Sequence, residues 1–145
     1  MLDRAWIAAH IPHQGTMCLL DSVREWTPER IRCASATHRS PDNPLRDGGR
    51  LGAACGIEYA AQAMAVHGAL LAASDVEPRQ GFLASVRGVD LRVGRLDDIA
   101  DDLDVEAERL SGDENNILYR FAVSAGERLL LAGRAAVILN AEKLR

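Results

Sequence analysis

One stretch constrains this chain more than any other. Leu51 to Ser74, LGAACGIEYAAQAMAVHGALLAAS, carries a single ionised side chain, Glu58. Alanine, leucine, methionine and glutamine favour a helix, and no proline interrupts them, so the stretch predicts one long helix. A helix that is uncharged nearly all round belongs inside a protein. Small residues at Gly52, Ala53, Gly56, Ala60 and Ala63 recur at helical spacing, giving a face that another backbone or a thin ligand can approach closely.

Glu58 is the anomaly. A carboxylate on a buried helix costs several kcal/mol unless it is paired or its ionisation is shifted. Gln62 lies one turn further on, where its amide can orient the carboxyl. A structural role and a functional role stand about even for such a residue taken alone.

The remaining composition narrows the class. A length of 145 residues fits one domain, 1–145, with its own core, and 48% hydrophobic and 26% charged residues are ordinary for a globular chain. Net charge is −4, with arginines scattered singly and only two Trp, two Tyr and two Phe, which argues against nucleic acid as a partner. Cys18, Cys33 and Cys55 lack metal or redox spacing and read as reduced residues of a cytoplasmic protein. The N-terminal MLDRAWIAAHIPH has no apolar signal region. Glu58, Gln62 and His67 make a membrane span in the long stretch costly, so no membrane is expected.

Along the chain, Asp3–Ile11 predicts a short amphipathic helix ended by Pro12. Met17-Cys18-Leu19-Leu20 running into Trp26, and Arg30 to Thr37, predict two strands of a hairpin. His38 to Gly49, rich in Pro, Gly, Asp and Asn, is the longest irregular segment and leads into the long helix, which should stop at Ser74, Asp75 and Pro78. Strands are then predicted over Phe82–Val93, with a bulge at Gly88, over Leu103–Arg109, Ile117–Ala125 and Arg128–Leu139, with the acidic run 96–102 as a solvated connector. The last three strands, joined by short turns, form an antiparallel meander. One helix cannot cover both faces of such a sheet, so an α+β architecture with the antiparallel sheet wrapped around the helix is expected, its open edge inviting a homodimer or heterodimer.

Two motifs, Ile11-Pro12-His13-Gln14 leading into Leu19-Leu20-Asp21-Ser22-Val23, and Gly56-Ile57-Glu58-Tyr59-Ala60-Ala61-Gln62-Ala63, resemble those of the hotdog-fold 3-hydroxyacyl-acyl-carrier-protein dehydratases. The chain is most similar to a divergent branch of that family associated with aryl-polyene and related polyketide-like clusters. The resemblance implies a hotdog fold and an acyl tunnel at a dimer interface. It also implies a substrate thioester on acyl-carrier protein or coenzyme A, and a second hotdog subunit as partner. In that family a loop histidine removes the C2 proton, the helix carboxylate protonates the leaving hydroxyl, and backbone N–H groups near the helix start polarise the thioester carbonyl. Carried over, Glu58 becomes the acid, Gln62 its neighbour in the substrate site, and Gly52, Ala53 and Gly56 the region of the polarising amides.

One departure stands out. The family's catalytic histidine sits in a GHFPG-like loop ahead of the carboxylate, where this chain reads Asp42-Asn43-Pro44-Leu45-Arg46. Asn43 can contact substrate but cannot act as a general base near neutral pH. His67 falls on about the opposite helix face, roughly 13 Å along the axis from Glu58, and reads as a core residue. His13 and His38 remain as catalytic candidates, each with a structural alternative. Dehydration with Glu58 as acid leads, with a second subunit supplying the histidine. Thioester hydrolysis with Glu58 activating water, and a subunit that only binds acyl chains, are the alternatives. Neither a metal nor a cofactor is expected, since phosphate-binding, dinucleotide and metal-ligand motifs are all missing from the sequence.

Overall fold

The computed structural model describes residues 2–72, 81–113 and 115–139. Seven strands form a single antiparallel sheet: β1 (Leu2–Asp3), β2 (Ser22–Thr27), β3 (Arg30–Ser35), β4 (Gly81–Leu91), β5 (Leu103–Gly112), β6 (Asn116–Ala125) and β7 (Arg128–Leu139). Their order across the sheet is β1-β2-β3-β5-β6-β7-β4. Helix α1 spans Arg4–His10 and helix α2 spans Gly56–Leu71.

Period-2 alternation does the wrapping. Ile31, Cys33 and Ser35 of β3, Leu103, Val105 and Ala107 of β5, and Ile117, Tyr119, Phe121 and Val123 of β6 all face inward and are buried. They close on α2, whose Tyr59, Ala60, Ala63, Val66 and Leu70 belong to the same core. The expected helix-in-sheet architecture is thus present, with the hairpin β2–β3 and the meander β5–β6–β7 in place. The bulge also falls where glycine marks it: Gly88 has φ +59°, and the β4–β7 register breaks between Arg87 and Asp90.

Two expectations need correction. The apolar run Met17–Leu20 is not a strand, because Gly15–Met17 forms a 3₁₀ turn and the Leu19 N–H is taken by Gln62 Oε1 at 2.9 Å instead of by a ladder. The acidic run is no simple solvated connector. Leu96 is fully buried, and Asp97 accepts the Leu51 N–H at 2.8 Å while pairing with Arg95, whose guanidinium holds the carboxyl well below the usual carboxylate range. Asp97 therefore pins the chain just before α2. Of the two occupants expected for the small-residue face, a backbone or a thin ligand, α2 admits at Gly56 this chain's own sheet. A Cβ on Gly56 would lie 2.6 Å from Leu131 Cδ2, so it is β7 that approaches there.

The long helix begins later than the apolar stretch does, after a 3₁₀ turn at Ala53–Cys55. Its expected stop at Ser74, Asp75 and Pro78 lies outside the described residues. Among the described residues no helix is long and apolar enough to cross a membrane.

Candidate functional site

Two sequence-distant segments meet at the first turn of α2. Asp3 caps α1 by accepting the Trp6 N–H, and the chain leaves α1 through Pro12 into the loop that carries His13. Arg4 ties that loop down: its guanidinium bonds Asp21 Oδ1 at 3.1 Å and also donates to the Cys18 carbonyl. Gln62 completes the attachment. Its Oε1 accepts the Leu19 N–H, and its Nε2 donates to the Met17 carbonyl at 2.8 Å and to Glu58 Oε1 at 3.3 Å. The amide orientation is settled by those partners, an N–H at the oxygen and two oxygens at the nitrogen.

His13 meets the same carboxylate, with Nε2 3.1 Å from Glu58 Oε1. The side chains of His13 and Glu58 are 25% and 34% exposed. Glu58 is therefore not the fully buried carboxylate that its helix suggests: it looks out of the core at the N-terminal turn, where the helix dipole favours negative charge. Its partners are a histidine and an amide rather than an arginine.

The irregular loop is committed elsewhere. Asn43 is buried, donating from Nδ2 to the Thr37 carbonyl at 3.0 Å and to Tyr59 Oη at 2.9 Å, while its Oδ1 accepts the Leu45 N–H at 2.9 Å. Both amide protons are in use. Asn43 is thus a clasp between loop and helix and not, as the sequence suggests, a group offered to substrate. Tyr59 Oη also meets Thr37 Oγ1 at 2.8 Å. The sequence reading missed Tyr59 as part of this arrangement, although a tyrosine inside an apolar helix signals a polar partner. Asn43→Leu strands the Leu45 N–H and takes one bond each from the Tyr59 hydroxyl and the Thr37 carbonyl, and should lower unfolding free energy by about 1–3 kcal/mol in urea titrations. An unchanged midpoint would contradict the clasp.

The structure does not bring His38 to Glu58. The His38 ring is fully buried and donates from Nε2 to the Ile99 carbonyl at 3.0 Å, anchoring the loop to the 96–102 segment. His67 is likewise internal: Nε2–H donates to the Thr27 carbonyl, and Nδ1 takes the Tyr119 hydroxyl, both at 2.8 Å. His10 stacks on Trp6 and donates to its carbonyl. Of the four histidines, only His13 reaches the carboxylate.

Burial pushes both His38 and His67 below the ordinary imidazole value of 6.5. The unfolded chain takes up these protons near that value and the folded chain only at lower pH, so stability is full above it and falls as pH drops below it. The expected slope is up to about 1.4 kcal/mol per pH unit for each ring. Urea midpoints measured between about pH 7 and about pH 5 should show this decline, and a flat series would refute it.

The expected polarising amides are partly in use. Ala53 N–H donates to the Gly94 carbonyl at 3.1 Å, and Gly56 N–H to the carbonyls of the preceding 3₁₀ turn. Ala53 and Gly56 therefore do not offer a free amide to a substrate. Gly52 remains partly exposed, with open space where a Cβ would stand. A cavity of about 240 Å³ opens nearby, lined by Val93, Gly94, Arg95, Asp98, Ile99 and Arg128, and Glu58 is not part of its wall.

A long helix wrapped by an antiparallel sheet, with a partly exposed carboxylate on its first turn, is the hotdog architecture. The profile of the ApeP-like family, described as ApeP dehydratase, matches residues 5–144, and the chain belongs to that family of dehydratase-like proteins. No curated protein matches the sequence. Among solved structures, the dehydratase heterocomplex ApeI:P of Xenorhabdus doucetiae is similar with a TM-score of 0.84 and 24% identity, covering 95% of this chain and 93% of that one. A thioesterase family protein of Silicibacter pomeroyi gives 0.65 and 14%, covering 94% of each chain. A hypothetical thioesterase of Streptococcus pneumoniae solved with coenzyme A gives 0.56 and 12%, over 82% of this chain and 84% of that one.

Proposed function

We propose that this chain is the acid-bearing subunit of a two-subunit dehydratase, acting on 3-hydroxyacyl thioesters carried by acyl-carrier protein or coenzyme A. The observation that carries this reading is the pairing of Glu58 with His13 and Gln62 at the helix start, in a chain whose loop offers Asn43 in place of a base. Glu58 delivers a proton to the departing hydroxyl. The base that removes the C2 proton comes from the second hotdog subunit, since His10, His38 and His67 are committed to other bonds. Family membership and the two-subunit assembly of the similar Xenorhabdus complex support this division of labour. The acyl tunnel lies between the two subunits, and the assembly works in the cytoplasm, in keeping with three unpaired cysteines.

The test is direct. Purified chain, alone and mixed with a candidate hotdog dehydratase subunit, is incubated with 3-hydroxyacyl thioesters on carrier protein and on coenzyme A. Enoyl thioester formed by the mixture supports the reading. Free thiol from the chain alone would replace it with hydrolysis, and no product from any combination would leave only acyl binding.

A further inference from the structure

Resting on that reading, the geometry points to His13 as a positioning residue for the dehydration and to Glu58 Oε2 as the oxygen that handles the proton. Two nitrogen groups near the carboxyl converge on one atom: Gln62 Nε2 donates to Glu58 Oε1 at 3.3 Å, and His13 Nε2 faces the same oxygen at 3.1 Å. Among the described residues no donor meets Oε2. A carboxylic acid whose Oε1 accepts an amide N–H and faces an imidazole N–H carries its proton on Oε2, the oxygen left for a substrate hydroxyl.

The tautomer follows from the second ring nitrogen. His13 Nδ1 is shut off from solvent and has no hydrogen-bond partner among the described residues. With the ring proton on Nε2, Nδ1 holds a lone pair and no N–H is stranded. The ring is thereby set as a donor towards Oε1.

The step balances as follows. The C2–H bond breaks and its proton passes to the second subunit's base, its electron pair becoming the C2=C3 bond. The C3–O bond breaks with its electrons on the hydroxyl oxygen, which takes the Oε2 proton and leaves as water. Glu58 ends as a carboxylate, and the charge that grows on Oε1 meets the Gln62 amide and the His13 imidazole already beside it. Proton exchange with solvent resets both groups.

Two measurements decide the matter, one without turnover. In ¹⁵N-labelled chain, His13 should show a protonated Nε2 and a bare Nδ1, and Glu58→Gln should shift the Nε2 signal; a proton on Nδ1 would overturn the assignment. In the assembled dehydratase, His13→Leu should lower kcat by about 10²-fold with KM little changed. His13→Gln, which can place an N–H near the former Nε2, should recover most of that loss. Thermal melts of each variant separate misfolding from mispositioning. If His13→Leu turns over like wild type while Glu58→Gln is dead, the acid assignment stands and the positioning role falls. If Glu58→Gln remains active, the dehydratase reading itself fails.

Discussion

Glu58→Gln lowers kcat for enoyl formation by the assembled dehydratase by about 10²–10⁴-fold, the range a lost general acid produces. The substitution is nearly isosteric. It keeps a carbonyl oxygen for Gln62 to bond and His13 to face, so the contacts seen at Oε1 survive while the proton on the second oxygen is gone. The loss should therefore fall on kcat, with KM and the melting temperature close to wild type. Steady-state kinetics beside a thermal melt reads both. Full activity in the glutamine variant would remove Glu58 from the chemistry.

Gln62→Leu should be the most damaging single change to the fold of the site. The amide is fully buried and joins the Leu19 N–H to the Met17 carbonyl, 43 and 45 residues away in sequence. Leucine fills similar volume but leaves the buried Leu19 N–H unpaired and takes the partner from the part-buried Met17 carbonyl, at about 1–4 kcal/mol of unfolding free energy in urea titrations. The same change releases the loop that holds His13 and removes the amide donor at Glu58 Oε1, so kcat should fall in the variant even at temperatures where it is folded. A stable Gln62→Leu protein with unchanged kcat would show that the loop holds its place without this clasp.

Much of the architecture was legible because it rests on local pattern. The uninterrupted apolar stretch announces α2, the glycine at 88 announces the bulge, and alternation around Leu103, Val105 and Ala107 announces the inward face of β5. What resisted reading is non-local. Nothing near Phe82 says that β4 pairs with β7 at the sheet edge rather than with β5, and two residues at Leu2–Asp3 are too few to show alternation. The helix carboxylate stood out by charge alone. The histidine that meets it did not, because His13 and His38 look equivalent in sequence until the loops are placed, one ending at Glu58 and the other at Ile99. Asn43 misled for a similar reason: an amide in a long loop looks available until its three bonds are counted.

Those three bonds have an evolutionary corollary. On the proposed reading, a lone codon change at position 43 cannot return this polypeptide to self-sufficiency, since an imidazole there would first have to break the seam joining Thr37, Leu45 and Tyr59. Any lineage travelling back must cross a less stable intermediate before regaining a base of its own. The clasp works as a ratchet, and reliance on a companion polypeptide, once acquired, is held in place by the interior rather than by the surface where the two would meet.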